Sequence, residues 1–183
     1  MTKTRRSDLE VLQAFLSYPK PNFEADLESL RELGESRGDA IGRAFIHFVD
    51  VMSLLGQDER EELYTRTFDL DPVCCLEMGW HLFGESYDRG GLMVELRARM
   101  RELGVEETEE LPDHMANALA LLAHMDGDEG RSFASSRVLP AMAKMIQGFK
   151  EETNPYRGLL EASQGLIEEL FDLAGAAKEQ DHV

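Results

Sequence analysis

Glu77 and His81 stand four residues apart, and so do Glu110 and His114. A carboxylate and an imidazole at that spacing can share one face of a helix. Two such pairs suit a carboxylate-bridged di-metal centre. The di-metal template takes a Glu-x-x-His from each of two helices and a Glu from each of two more. Here each spacing is one residue longer, and Pro112 sets Glu110 ahead of the following helix rather than on it. A di-metal helical oxidoreductase using Glu77, His81, Glu110 and His114 is therefore the enzymatic alternative, and it fits its template poorly. Cys74 and Cys75 are adjacent. Neighbouring cysteines close a strained ring when oxidised, and two thiols without a second pair make a poor zinc site. They read as small buried residues on a helix. No phosphate loop, dinucleotide fingerprint or nucleophile elbow is present. No catalysis, no cofactor and no metal are expected.

The remaining chemistry is that of a binding surface. The formal net charge of −17 disfavours phosphate backbones and anionic membranes. It favours a basic peptide or the basic face of another protein. Nine methionines include Met115 and Met125, on the same expected helix as Asp113 and His114. Thioethers adapt to varied apolar partners, although each methionine taken alone reads as core. His47, inside an apolar stretch, reads as a satisfied core histidine.

The elements that must position these residues are helical almost throughout, which gives an all-α fold. Hydrophobic residues make up 43% of the 183, enough for one core. The chain reads as a single compact domain over 1–183, with a frayed tail at about 176–183. A Ser7-x-x-Glu10 capping box opens the first apolar stripe of Leu9, Leu12, Phe15 and Leu16. Phe23 to Leu33 follows, closed by Gly34, then Ile41 to Leu55. Asp58-x-x-Glu61 starts a short helix ending near Phe68. Pro72 to Phe83 is apolar on most sides and reads as a buried helix. Residues 87–103 form a charged helix capped by Gly104. Pro112 opens a helix to about Met125, residues 126–130 turn, and helices near 131–150 and 155–175 complete the chain. No apolar run approaches a membrane span. The basic start leads straight into an amphipathic pattern, so no signal peptide is expected and the location is cytoplasmic.

Three stretches in order carry a resemblance: Tyr64-Thr-Arg-Thr-Phe-Asp-Leu70, His81-Leu-Phe-Gly-Glu-Ser-Tyr-Asp-Arg-Gly90 and Glu110-Leu-Pro-Asp-His-Met115. The chain resembles the nitrate reductase delta-subunit family, redox-enzyme maturation chaperones similar to the wider TorD/DmsD group. The resemblance implies an all-α domain without catalytic activity. It implies a partner, the N-terminal or leader segment of the catalytic subunit of a molybdopterin oxidoreductase, held while molybdenum cofactor and iron–sulfur centres are inserted. By motif position Asp113 and His114 touch that peptide, Asp113 through a leader arginine. On that reading Asp113→Ala and His114→Ala weaken binding and leave the fold intact. Glu110, Met115, His81, Tyr64 and Phe68 complete the expected peptide site, the last two as groove wall or core. Gly84, Asp88, Arg89, Gly90 and Pro112 are expected to shape turns. Close packing is expected at this turn, so that Gly90→Leu overpacks whereas Gly91→Ala is tolerated. A stable accessory subunit of the reductase is the third reading.

Overall fold

Met115–His124 carries almost no charge, and every residue from Met115 to Ala123 is buried. A helix apolar on all sides has to sit inside the molecule, and this one does. The computed structural model describes residues 3–70 and 74–173. In chain order the helices are α1 (Lys3–Phe15), α2 (Phe23–Arg37), α3 (Ala40–Ser53), α4 (Gln57–Tyr64), α5 (Met78–Phe83), α6 (Tyr87–Leu103), α7 (Met115–His124), α8 (Gly127–Phe133), α9 (Leu139–Gly148) and α10 (Pro155–Leu170). A π-helical turn at Thr65–Asp69 prolongs α4, and another at Ala134–Val138 joins α8 to α9. The fold is all-α. α1 packs on the central α7, α2 and α3 form a hairpin, and α10 lies against α3 and α9. α5 bridges α9 and α6.

The hairpin closes on two glycines. A Cβ on Gly34 would fall 2.8 Å from the carbonyl oxygen of Gly42. Gly34 is thus not the helix end its position suggests. α2 runs on to Arg37 and stops at Gly38, whose φ of 67° only glycine adopts freely. Edge-to-face aromatic contacts hold the centre of the core. Tyr156 meets Phe68, Phe48 and Tyr64 at 4.9, 5.3 and 6.1 Å between ring centroids. Burial pushes the Tyr156 phenol well above its ordinary range.

Several expectations are corrected. Ser7 lies inside α1, which has already begun by Lys3, and Glu10 pairs with Arg6 one turn back. α4 starts at Gln57, where the Glu59 carboxylate accepts the Gly56 N–H at 2.8 Å. Residues 71–73 and the tail at 176–183 lie outside the described residues. Of the expected buried helix from Pro72, the structure shows only Met78–Phe83, with Trp80 to Phe83 half-buried. Pro112 precedes α7 instead of opening it, because His114 is the N-cap. Residues 127–130 are helical rather than a turn. His47 is exposed.

Gly90 and Gly91 are also corrected. Nothing lies within 4 Å of a Cβ placed on either, so no backbone crowds them. Gly90→Ala and Gly91→Ala are therefore expected to hold or raise the melting temperature, since glycine in a helix costs up to about 1 kcal/mol against alanine. Gly34→Ala should lose about 1–3 kcal/mol by overpacking. Thermal melts of the three variants check this; a fall at Gly91 with none at Gly34 would contradict it.

Candidate functional site: an acidic cup beside a buried ion pair

Residues 76–78 and 113–115 meet as a short antiparallel bridge. The Met78 N–H donates to the Asp113 carbonyl and the Met115 N–H to the Leu76 carbonyl, both at 2.7 Å. These bonds flank Glu77 and His114, the bridged pair. In an antiparallel ladder such a non-hydrogen-bonded pair brings its side chains close together, and side chains alternate between faces. Asp113 and His114, neighbours in sequence, therefore serve opposite sides.

Asp113 serves the inner side. It is fully buried, and its Oδ2 accepts from Arg89 Nε at 2.8 Å. Its Oδ1 has no hydrogen-bond partner among the described residues. The Arg89 guanidinium also lies over the Trp80 ring, 5.9 Å from the centroid. Room for the pair comes from Gly79, where a Cβ would stand 2.5 Å from Asp113 Oδ2 and 3.0 Å from Arg89 Cγ. The pair ties α6, α5 and the loop before α7 together. This corrects the expectation that Asp113 receives a client arginine: its carboxylate is inside the protein and already holds one. Met115 is likewise fully buried, and Met125 is core. Asp88 is exposed at the first turn of α6, and Gly84 takes a φ of 62° between α5 and α6. Of the turn residues, Gly84 thus occupies a special backbone position, while Arg89 is half of the ion pair.

His114 serves the outer side. With Glu77, Glu110, Asp69, Leu76, Tyr18, Tyr64 and Phe68 it lines a cup of about 90 Å³. Four residues expected at a peptide site, Tyr64, Phe68, Glu110 and His114, thus come together. His114 is 4% exposed. Its Nδ1 accepts from the Ala116 N–H at 3.3 Å and so caps α7. The π turn places Asp69: the Leu70 N–H donates to the Thr65 carbonyl five residues back, which turns residue 69 toward the side of Tyr64. Asn117, 1% exposed, fixes the other wall. It donates to the Leu111 carbonyl and accepts from Thr108, whose hydroxyl also takes the Glu110 N–H. Tyr18 completes the rim, its ring edge-on to Tyr64 and its hydroxyl on Glu61 at 3.0 Å.

The groups of the cup act on one another. Burial holds the His114 imidazole below its ordinary value, against the pull of Glu110 and Glu77. Burial raises the Asp69 carboxyl, with Glu77 adding to the rise. His81 lies elsewhere. Its Nε2 is 2.7 Å from the Cys75 carbonyl oxygen and 3.7 Å from Cys75 Sγ. Glu77 is the N-cap of α5, not part of it, so Glu77 and His81 do not share a helix face. Among the described residues no three His, Cys, Asp or Glu side chains are grouped to hold a metal. The Cys75 thiol is pushed up to about 12 by burial and by Glu77, so it is protonated at neutral pH and a poor nucleophile. Cys74 is buried, and no disulfide joins the two.

Beside the cup, and sharing Tyr18 with it, runs a hollow of about 390 Å³. It is lined by Asp58, Glu61, Glu62, Thr65, Arg66 and Leu70 as well. Leu70 is 73% exposed and Tyr18 43%. Its lining sets the exposed apolar groups Tyr18 and Leu70 among the carboxylates of Asp58, Glu61 and Glu62 and the Arg66 guanidinium.

A helical chain of this shape, with this bridge at its motif, belongs to the nitrate reductase delta subunit family, whose model matches residues 35–178. It is similar to the nitrate reductase molybdenum cofactor assembly chaperone NarJ of Escherichia coli K12. The two are 26% identical over 185 residues, covering 96% of this chain and 73% of that protein. It is also 27% identical over 126 residues to the probable assembly chaperone NarW of the same strain, covering 68% of this chain and 51% of that one. These relatives are chaperones, not catalysts. No helix among the described residues is long and apolar enough to cross a membrane.

The sequence pattern assigns no site role to Gly79, Tyr18 or Asn117, and Asp69 stands in it only as part of the Tyr64–Leu70 stretch.

The ion pair makes a prediction that reverses the expectation of an intact fold. Asp113→Ala removes the partner of the half-buried Arg89 and opens a gap beside Gly79, and should lose about 1.5–3 kcal/mol, with Gly79→Ala lowering the melting temperature as well. A denaturant titration of Asp113→Ala that overlays wild type would contradict this.

The histidines predict the response to acid. Burial lowers both His114 and His81 from 6.5. Below that value the unfolded chain takes up protons that the folded chain refuses, so stability is lost as pH falls through about 6.5. The melting temperature should drop between pH 7.5 and 5.5, and His114→Gln should shrink the drop. An equal drop in the variant would remove His114 from the account.

Proposed function

We propose that the chain is a cytoplasmic chaperone for the catalytic subunit of a molybdopterin oxidoreductase of the nitrate reductase kind. It binds the N-terminal segment of that subunit and keeps it competent for molybdenum cofactor insertion and assembly. The observation that carries this reading is the acidic cup that shares Tyr18 with a second hollow presenting Leu70 among carboxylates. A basic, partly apolar segment would find carboxylates at Glu77, Glu110 and Asp69 and apolar contacts at Leu70 and Tyr18. A net charge of −17 adds long-range attraction for such a ligand. The family and the names of its relatives support the class of partner. The ligand is a peptide rather than a small molecule, because the cup of about 90 Å³ is smaller than a small-molecule site and lies beside a second hollow of about 390 Å³.

Calorimetry with N-terminal peptides of molybdopterin oxidoreductase catalytic subunits tests the proposal. Binding is expected, and it should weaken as salt rises. Glu77→Gln with Glu110→Gln should lower affinity about ten-fold, which is about 1.4 kcal/mol. Undiminished binding by the double variant would move the site elsewhere. Absence of binding to the leader of any such subunit would overturn the reading.

A further inference from the structure

We infer that the face made by the end of α5, the π turn at Ala134–Val138 and α9 docks an acidic segment of a partner protein, one that sets carboxylates among large apolar side chains. This face is separate from the cup, and the inference goes beyond the peptide-binding reading above without resting on it.

The sequence supplies the first observation. Between Glu129 and Glu151 there is no Asp or Glu, the longest such gap in the chain, and the gap holds Arg131, Arg137, Lys144 and Lys150. Those four cations, taken from a total of −17, leave −21 on the rest of the chain. Cations scattered among carboxylates lower self-repulsion, whereas gathered cations make a local field of opposite sign.

The structure then brings two of these cations to the end of one short helix. The Arg137 guanidinium lies over the Phe83 ring, 5.6 Å from its centroid. Lys144 Nζ donates to the His81 carbonyl at 2.7 Å. Seven residues separate the two cations, about 10 Å along a helix axis, and they bracket the last turn of α5. Neither is in an ion pair with a described residue, whereas Arg37, Arg60, Arg89 and Arg99 each hold a carboxylate and Arg131 faces Asp172. The Lys144 contact satisfies one carbonyl left open at the α5 C-terminus. It uses one of three ammonium donors, and Arg137 gives none of its five to a carboxylate.

The third observation is the apolar surface around them. Leu82, Phe83, Phe133, Leu139, Ile146 and Phe149 pack on the core and stay partly open to solvent. Lys144 and Gln147 are the most exposed positions of α9. Arginine among aromatic and aliphatic side chains, without Asp or Glu, is the composition of a protein interface.

An acidic polypeptide suits this face better than other anions. The hollow of about 310 Å³ that Arg137 lines also holds Glu95 and Glu129 and does not include Lys144, so a compact anion seated there meets carboxylates. The net charge of −17 repels phosphate backbones and anionic bilayers. A short polypeptide contact feels that field less, because it is screened beyond about 8 Å at physiological salt, and its apolar side chains add contact with Phe83 and Leu139.

The probe is a short fluorescein-labelled peptide that alternates glutamate with leucine and phenylalanine, titrated with the full chain and followed by anisotropy. Binding is expected, weakening several-fold as salt rises. Arg137→Glu with Lys144→Glu should lower affinity about ten-fold. Lys20→Glu with Arg43→Glu makes the same change in net charge away from the face and should lower it far less. Arg137→Gln with Lys144→Gln keeps polar groups beside α5 and should lose several-fold; if the charge-reversed pair melts well below wild type, this neutral pair decides alone. No binding by wild type, equal binding of the same peptide with glutamine for glutamate, or an equal loss in the Lys20 and Arg43 pair overturns the proposal. So does tighter capture of phosphatidylglycerol vesicles or single-stranded DNA that the Arg137 and Lys144 substitutions abolish, since the face would then belong to a different class of polyanion.

Discussion

A buried carboxylate paired with one arginine organises the functional end of this molecule. Asp113 has no exposure, and Arg89 reaches it from α6 across the notch left by Gly79 on α5. Two charges withdrawn from water are tolerable only as a pair, and removing either strands the other. Three elements are therefore locked in one arrangement: α5, α6 and the loop that enters α7. The two backbone bonds of the bridge repeat that constraint from the other side. What they fix is the alternation at 113–115, which sends Asp113 and Met115 inward and His114 outward. The cup exists because its histidine and its Glu77 wall are projected from this locked strand pair.

Helical type, the end at Gly104 and the α6 span of Tyr87–Leu103 follow from period and glycine placement in the sequence; the end at Gly38 does not, because Gly34 offered an earlier stop. Gathering Tyr64, Phe68, Glu110 and His114 into one site was legible only through the three ordered motifs. The roles within the motif were not. Asp113 and His114 are both polar and adjacent, and only the bridge, a single residue pair, separates them into an inner ion pair and an outer cup residue. A single bridge leaves no alternating stretch long enough to see. Asp69 stood five residues from Tyr64, on another face of a regular helix, and needed the π turn to reach the cup. Gly79 declared itself only against Arg89 and Asp113, which lie 10 and 34 positions further along the chain. The methionines were legible as core but not as surface: Met115 and Met125 are buried, so adaptability to a ligand falls to Tyr18 and Leu70.

The division of labour suits a protein that holds rather than converts. The cup has carboxylates without a metal grouping, a thiol nearby that is kept protonated, and a histidine whose second nitrogen caps a helix. Each feature can make hydrogen bonds and ion pairs with a peptide. The acidic rim supplies attraction that salt can modulate, and the apolar hollow supplies contact that it cannot. The proposed capture of a basic segment would draw on both.

The central claim is where the client segment lies. A photo-crosslinking residue placed at Leu70, on the rim of the hollow, and another at Tyr87, fully exposed at the start of α6, would be compared with the same client peptide. The account predicts a crosslink from Leu70 that excess unlabelled peptide abolishes, and none from Tyr87. A crosslink from Tyr87 alone would place the peptide on the outer face of α6 and contradict the assignment of the cup and its hollow.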